Sequence, residues 1–333
     1  MPTVSIVVPN YNHAPYLVAR LESIRQQTFQ DFELIVLDDA STDGSLAVIN
    51  DYARQMPMQV VANETNSGSP FVQWRRGAEL GRGKYLWIAE SDDYAQPGFL
   101  AAMVERLEAN PQAGLAYSQS IKVDNDGGEH GTWRDYTDWI DAEHWRQDYV
   151  ASGTEECGRY LVFANTIPNA SAVVLRRELF LQQTAALPPM KLCGDWLAWV
   201  KILLASDVCF VSTPLNYHRE HQNTVRRHTR YGMHFAEYTI VWQQFARHFT
   251  TDRAVRERLR HALNVGWSNQ CINMQPADDW KWLLALVPRI VDIAPSRLFP
   301  IFLSYAKCRT RRAGLIGARG RGKLSLLNGL YDL

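Results

Sequence analysis

The chain has 333 residues, with 35 Lys+Arg against 35 Asp+Glu and 46% hydrophobic residues. That size and composition fit a globular protein of about two compact units and exclude collagen-like, low-complexity and disordered classes. The zero formal balance argues against a generic nucleic-acid binder, yet residues 293–333 hold eight Lys/Arg and one acid, Asp332, so an acidic body precedes a basic end.

Strand and helix signals alternate over the first ~120 residues. Val4–Val8 is a short β-branched run of the kind buried on both faces of a sheet. Leu17, Leu21 and Ile24 recur at helical spacing, and Phe32–Leu37 is a second apolar strand. Asp43 stands where a helix N-cap belongs, before Leu46, Val48 and Ile49. Met58–Ala62 reads as a third strand, Asn63–Pro70 as a polar loop, Phe71–Leu80 as a helix and Lys84–Ala89 as a fourth strand. The acidic turn Glu90-Ser91-Asp92-Asp93 follows, then a helix over Pro97–Ala109 and a strand over Gly114–Ser118. This alternation predicts βαβ units and a mostly parallel sheet flanked by helices.

The pattern is irregular from 119 to 165, with a turn at Asn125–Gly128. Ser171–Leu175 reads as a strand and Gly194–Ala205 as a helix, with short strands at Val208–Val211 and Leu215–His218. Helices are expected at roughly 233–249, 253–273, 277–291 and 297–308, with a unit boundary near 225–233. Five scattered cysteines (Cys157, Cys193, Cys209, Cys271, Cys308) without a C-x-x-C suit a reducing cytoplasm. The N-terminus lacks the basic and apolar regions of a cleaved signal, and no uncharged apolar run is long enough to span a bilayer.

Open α/β sheets bind ligands outside the carboxyl ends of their strands. Those ends carry Pro9-Asn10-Tyr11-Asn12, Asp38-Asp39 and Glu90–Asp93. Carboxylates gathered at one crevice repel unless a cation or ligand donors compensate them. A single Asp-Asp pair is more often a turn; two pairs at ligand-binding ends weaken that reading.

VSIVVPNYNHAPYL, ELIVLDDASTDGS, NSGSP and GKYLWIAESDDYAQPGFL, in this order, resemble the inverting family 2 glycosyltransferases of the GT-A fold over roughly residues 3–225. The resemblance implies a Rossmann-like nucleotide-diphospho-sugar transferase fold with a helical C-terminal region. It implies a catalytic domain over 1–228, with a nucleotide-sugar half (1–120) and an acceptor half (121–228), and a helical region with a basic tail over 229–333. Pro9 and Tyr11 would lie along the base, Asp39 would accept its imide N–H, and Asp92 would meet the ribose. Asp93 would bind Mn²⁺ or Mg²⁺ bridging the diphosphate, a cation served by hard oxygen ligands. Asp38 reads as a turn residue, and Glu90 is left out of the metal's ligands.

Lys191-Leu192-Cys193-Gly194-Asp195-Trp196 resembles the family's acidic residue before a Trp at a helix start, which makes Asp195 the catalytic base. A plain N-terminal helix Asp is the rival reading. In the later segment Tyr217–Asn223, Arg219 and His221 would meet the diphosphate or the metal. Arg76 would contact phosphate, and Trp74 is either a sugar platform or a packed helix residue.

The expected activity is transfer from a nucleotide-sugar, a UDP-sugar first, to a saccharide or lipid-linked hydroxyl in surface polysaccharide or lipopolysaccharide assembly. The alternatives are a nucleotidyltransferase and a non-catalytic nucleotide-sugar-binding module. The protein is expected in the cytoplasm without nucleic-acid partners. The tail, Leu298–Ala306 followed by Lys307, Arg309, Arg311, Arg312, Arg319, Arg321 and Lys323, reads either as a peripheral contact with the inner membrane face or as a packed helix with a basic end.

Overall fold

The structure, a computed structural model, describes residues 1–221, 229, 231–273 and 280–317, with the backbone alone for Tyr231 and 309–317. Gln222, Asn223, Arg319, Arg321 and Lys323 lie outside the described residues, and so do the side chains of Arg309, Arg311 and Arg312. The chain divides into two units, Met1–His228 and Thr229–Leu333.

In the first unit β1 (Val4–Asn10), α1 (Ala14–Arg25), β2 (Phe32–Asp38), α2 (Ser45–Ala53), β3 (Gln59–Ala62), α3 (Pro70–Leu80) and β4 (Tyr85–Ile88) build three parallel crossovers. All seven residues of β1 are buried, as its unbroken apolar run requires of a strand covered on both faces. Val4, Ile6 and Val8 share a core with Leu17, Leu21 and Ile24 of α1. On the other face α3 approaches so closely that a Cβ on Gly77 would stand 2.2 Å from Val7 Cγ1. Only glycine fits there.

The order β3-β2-β1-β4 reverses direction at β1. The carboxyl ends of β1, β2 and β4 therefore open onto one crevice, the usual ligand position of such a sheet. Next come β5 (Tyr94–Ala95), α4 (Phe99–Ala109), β6 (Ala113–Val123), β7 (Glu129–Thr132), α5 (Arg134–Thr137), β8 (Tyr149–Ala151), α6 (Gly153–Glu156), β9 (Val173–Arg176), α7 (Arg177–Gln183), α8 (Gly194–Leu203) and β10 (Asp207–Arg219). The central sheet is mostly parallel and flanked by helices, as the sequence predicts. β9 enters antiparallel between β4 and β6.

Two details differ from the sequence reading. The strand expected at Gly114–Ser118 runs on to Val123 and pairs with β7, within the stretch taken as irregular. Its extension carries the buried polar residues Gln119, Ser120 and Lys122, which hide the apolar signal. The two short strands expected at 208–218 are one strand of 13 residues. Its register against β6 shifts on both sides of Pro214, which cannot donate to the ladder and mimics a break.

The second unit holds the helices Tyr231–His248, Arg253–Asn273, Trp280–Ile293 and Leu298–Gly317. Phe235, Phe245, Leu259, Leu263, Trp267, Leu286 and Tyr305 are buried in it. Among the described residues no helix is long and apolar enough to cross a membrane.

Candidate active site

The turn after β2 is built around two aspartates with different duties. Asp38 is fully buried, accepts from Asn10 Nδ2 at 2.8 Å and from the Ser41 N–H at 3.0 Å, and so ties β1 to the turn. This is the turn role expected for it. Asn12 and Ala40, on either side of that junction, hold φ of 56° and 60°. Asn tolerates the left-handed region through local side-chain bonds, here Asn12 Oδ1 accepting the Thr42 N–H at 2.8 Å, whereas Ala40 has no such compensation.

Asp39 points the other way, into the loop before α3. Its Oδ1 accepts from Asn63 Nδ2 at 2.6 Å and Gln73 Nε2 at 2.9 Å, and its Oδ2 from Ser67 Oγ at 2.7 Å. Arg76 is exposed and donates to Asn63 Oδ1, one step from Asp39. Pro9 is buried in β1, and Tyr11 stands 47% exposed at its end. Pro9, Tyr11 and Asp39, expected around the base, thus occupy the ends of β1 and β2, and Arg76, expected at phosphate, stands on α3 and reaches the loop that faces them.

The acidic turn follows β4 and rests on a buried cation. Arg20 of α1 is fully buried; its Nε donates to the Glu90 carbonyl at 2.8 Å and its Nη2 to Ser171 Oγ at 3.1 Å. Burial pulls this guanidinium down to about 10 against the opposing pull of Asp93, Asp92 and Glu90. Glu90 turns inward, where Oε1 accepts from Trp74 Nε1 at 2.6 Å. Burial, with Asp92 repelling, pushes its carboxyl up to about 8, so Glu90 holds its proton at neutral pH.

Asp92 and Asp93 diverge. Burial works to raise Asp92, but the hydrogen bond from His221 and the charges of His13 and His218 hold it below the ordinary carboxylate range. Burial, with Asp92 adding, pushes Asp93 up, and Asp93 Oδ1 accepts the Arg219 N–H at 2.8 Å. Arg219 closes the turn: Nε donates to the Asp92 carbonyl at 3.0 Å and Nη1 to the Asp124 and Asn125 carbonyls, both at 2.8 Å. Its planar group lies over the rings of Tyr16 and Tyr94. Arg219 therefore clasps the turn with its donors, where the sequence reading gave it the diphosphate or the metal.

His13, Asp92 and His221 come together, with one ligand atom from each lying within 4.8 Å of the others. His221 Nε2 and Asp92 Oδ2 are 3.0 Å apart, and His221 Nδ1 is buried without a hydrogen-bond partner among the described residues. Ser91 Oγ engages His13 Nδ1 at 2.8 Å, fixing that ring. Two imidazoles and a carboxylate suit a borderline divalent cation. The expected ligand His221 is in this group. Asp93 lies outside this group, with its Oδ1 accepting the Arg219 N–H.

Asp195 opens α8, half-buried, with Asn165 Nδ2 donating to its Oδ2 at 2.8 Å. Its neighbour Trp196 is buried, with Nε1 on the Leu161 carbonyl at 3.0 Å. α8 packs on α3: a Cβ on Gly194 would stand 2.5 Å from the Phe71 ring, Phe71 meets Trp74 edge-on at 5.1 Å, and Trp74 stacks on Trp199 at 6.0 Å. Trp74 is 3% exposed, so it is the packed helix residue of the two readings and links Asp195's helix to Glu90.

Sequence reasoning missed His13, Arg20 and Asn165. Arg20 had a visible signal, since it falls on the buried stripe of Leu17, Leu21 and Ile24, where a charge needs a partner. His13 directly follows the Pro9–Asn12 strand end, and nothing local marks Asn165.

Residues 5–167 match the family model for glycosyl transferase family 2. An uncharacterized glycosyltransferase of Haemophilus influenzae is 26% identical over 200 residues, 60% of this chain and 61% of that one. The poly(ribitol-phosphate) beta-N-acetylglucosaminyltransferase TarS of Staphylococcus aureus is 35% identical over 92 residues, 27% of this chain and 16% of that one. The chain thus spans less than two thirds of these relatives. In structure, TarS residues 1–349 in complex with UDP superpose with a TM-score of 0.69 at 17% identity, over 98% of this chain and 94% of that one. The mannosyltransferase PcManGT of Pyrobaculum calidifontis, in complex with GDP-Man and Mn²⁺, gives 0.54 at 18% identity, over 94% and 87%. The shared fold is GT-A.

Proposed function

We propose that this chain, whose residues 5–167 belong to glycosyl transferase family 2, is an inverting transferase that moves a sugar from a UDP-sugar to a saccharide or lipid-linked hydroxyl in surface-polymer assembly. The observation that carries the reading is the meeting of Asp92, His13 and His221 at the same sheet edge as Asp39. The UDP bound by TarS and the GDP-Man and Mn²⁺ bound by PcManGT support a nucleotide-sugar donor and a divalent cation.

In this reading Tyr11 stacks on the base and Asp39 accepts its N–H once the Ser67 and Gln73 donors yield. Arg76 swings from Asn63 toward phosphate. His13, Asp92 and His221 hold the cation, which when bound offsets the charge growing on the leaving diphosphate. Asp93 and Arg20 keep the turn in shape, and Glu90, protonated, adds no further negative charge. Asp195, oriented by Asn165, takes the acceptor proton as the hydroxyl attacks the anomeric carbon from the face opposite the diphosphate, inverting that centre.

Thermal shift with UDP, GDP, TDP, CDP and ADP, with and without Mn²⁺, tests the donor site. A ligand at 100 times its Kd adds about 2.7 kcal/mol to stability. Mn²⁺-dependent stabilisation by UDP is expected. Stabilisation by none would remove the transferase reading.

A further inference from the structure

The second unit holds two of the five cysteines, Cys271 and Cys308, and they differ from the rest. All five are free thiols; Cys157, Cys193 and Cys209 are buried, whereas Cys271 and Cys308 are half-buried. A free thiol kept only for packing behaves as a small hydrophobe and belongs in the interior. A small reagent in solution meets these two and not the other three.

Two neighbouring helices set their placement. On Arg253–Asn273, Cys271 follows Trp267 by four residues; on Leu298–Gly317, Cys308 follows Ser304 by four. Each step is about one helical turn, so each pair shares a face. Trp267 Nε1 donates to Ser304 Oγ at 2.6 Å, and the centroids of the Trp267 and Tyr305 rings lie 6.5 Å apart. These contacts hold the two helices side by side, running the same way, and the next turn brings the thiols together. There the Cys271 side chain is hydrogen-bonded with Cys308 and with Ser304. Two sulfhydryls already in contact need only a short approach to bond covalently. Burial, with the Cys308 hydrogen bond adding, pushes the Cys271 thiol up to about 12. This sulfur keeps its proton at neutral pH, which leaves the first attack to Cys308.

We propose that Cys271 and Cys308 are a reversible modification site for low-molecular-weight disulfides, closing to a bond that staples helix Leu298–Gly317 to helix Arg253–Asn273. The Cys308 thiolate attacks one sulfur of the reagent, forming a mixed disulfide and expelling one thiolate. Cys271 then gives its proton to solvent as its sulfur attacks Cys308 Sγ and expels the second. Two protein thiols are oxidised and one reagent disulfide is reduced to two thiols; a reducing dithiol reverses the sequence. The site is independent of the transferase reading.

The test treats the full chain and its Cys271→Ser and Cys308→Ser variants with excess oxidised glutathione near neutral pH. Remaining thiols are then alkylated in denaturant and every cysteine is mapped by peptide mass spectrometry. Wild type is expected to lose two of its five thiols as one Cys271–Cys308 cross-link, and dithiothreitol to restore them. Cys271→Ser is expected to stop with one glutathione on Cys308, and Cys308→Ser to react at Cys271 about tenfold more slowly or less. Amides of Leu298–Cys308 are expected to exchange with deuterium about tenfold more slowly in the oxidised wild type. A wild type that keeps all five thiols, holds lasting adducts on both cysteines, or links either one to Cys157, Cys193 or Cys209 overturns the pair. Equal rates in the two variants overturn the order of attack, and unchanged deuterium exchange in a cross-linked chain overturns the staple.

Discussion

Trp74 Nε1 donates to Glu90 Oε1 at 2.6 Å, joining the helix packed under Asp195 to the first residue of the acidic turn. Burial, with Asp92 repelling, pushes that carboxyl from 4.5 to about 8, and the Trp74 bond only partly offsets the rise. Between those values the folded chain keeps a proton that the unfolded chain has lost. Stability therefore falls as pH rises through this window. Glu90→Gln keeps an acceptor for Trp74 and removes the titration. In metal-free buffer the urea midpoint of the wild type is expected to drop between about pH 5 and pH 8.5, and that of Glu90→Gln to drop less. Equal slopes would mean that Glu90 ionises as an ordinary carboxyl.

Asp92→Asn keeps a hydrogen-bonding partner for His221 but loses a negative ligand, and His13→Ala removes an imidazole. Losing even an outer-shell partner costs metal sites roughly 10- to 100-fold in affinity. Each variant is expected to weaken Mn²⁺ binding at least that much by calorimetry. Asp93→Asn is expected to spare Mn²⁺ affinity more than Asp92→Asn does. The reverse ranking would return Asp93 to the metal.

Asp195→Asn preserves shape and the first turn of α8. Positioned general bases contribute about 100- to 10,000-fold to rate. Transfer is expected to fall by that factor while the UDP thermal shift stays at the wild-type value. Unchanged turnover would move the base elsewhere.

Ala40 sits at a φ of 60°. A side chain in that region costs roughly 1–2 kcal/mol, of which glycine's extra chain freedom returns about half. Ala40→Gly is therefore expected to stabilise the chain by about 0.5–1 kcal/mol, read from urea midpoints at constant slope. A loss of stability would mean that the methyl group makes a compensating contact.

The strand-end carboxylates were legible because buried parallel strands print as apolar runs and their polar ends stand out. Asp38 and Asp39 look identical in sequence, yet one closes a turn and the other faces the crevice, a difference fixed by Asn10 and Ser67 from distant segments. Asp92 and Asp93 pose the same problem; which one meets the histidines depends on where the Arg219 backbone lies. Trp74 was readable two ways because a helix Trp carries no local mark of burial. Pro214 divided β10 on paper because a missing N–H looks like a chain break, although the strand passes through by shifting register.

Arg219 has a consequence for how the site comes into being. Its backbone N–H reaches Asp93 across 126 residues, and its guanidinium fixes the Asp92 carbonyl across 127. A nascent chain that has already paired its first four strands still holds an acidic turn with no clasp. The turn therefore gains its clasp only when β10 has emerged and docked beside β6. Until then the growing polypeptide has the sheet and the acidic turn but not the arginine that clasps it.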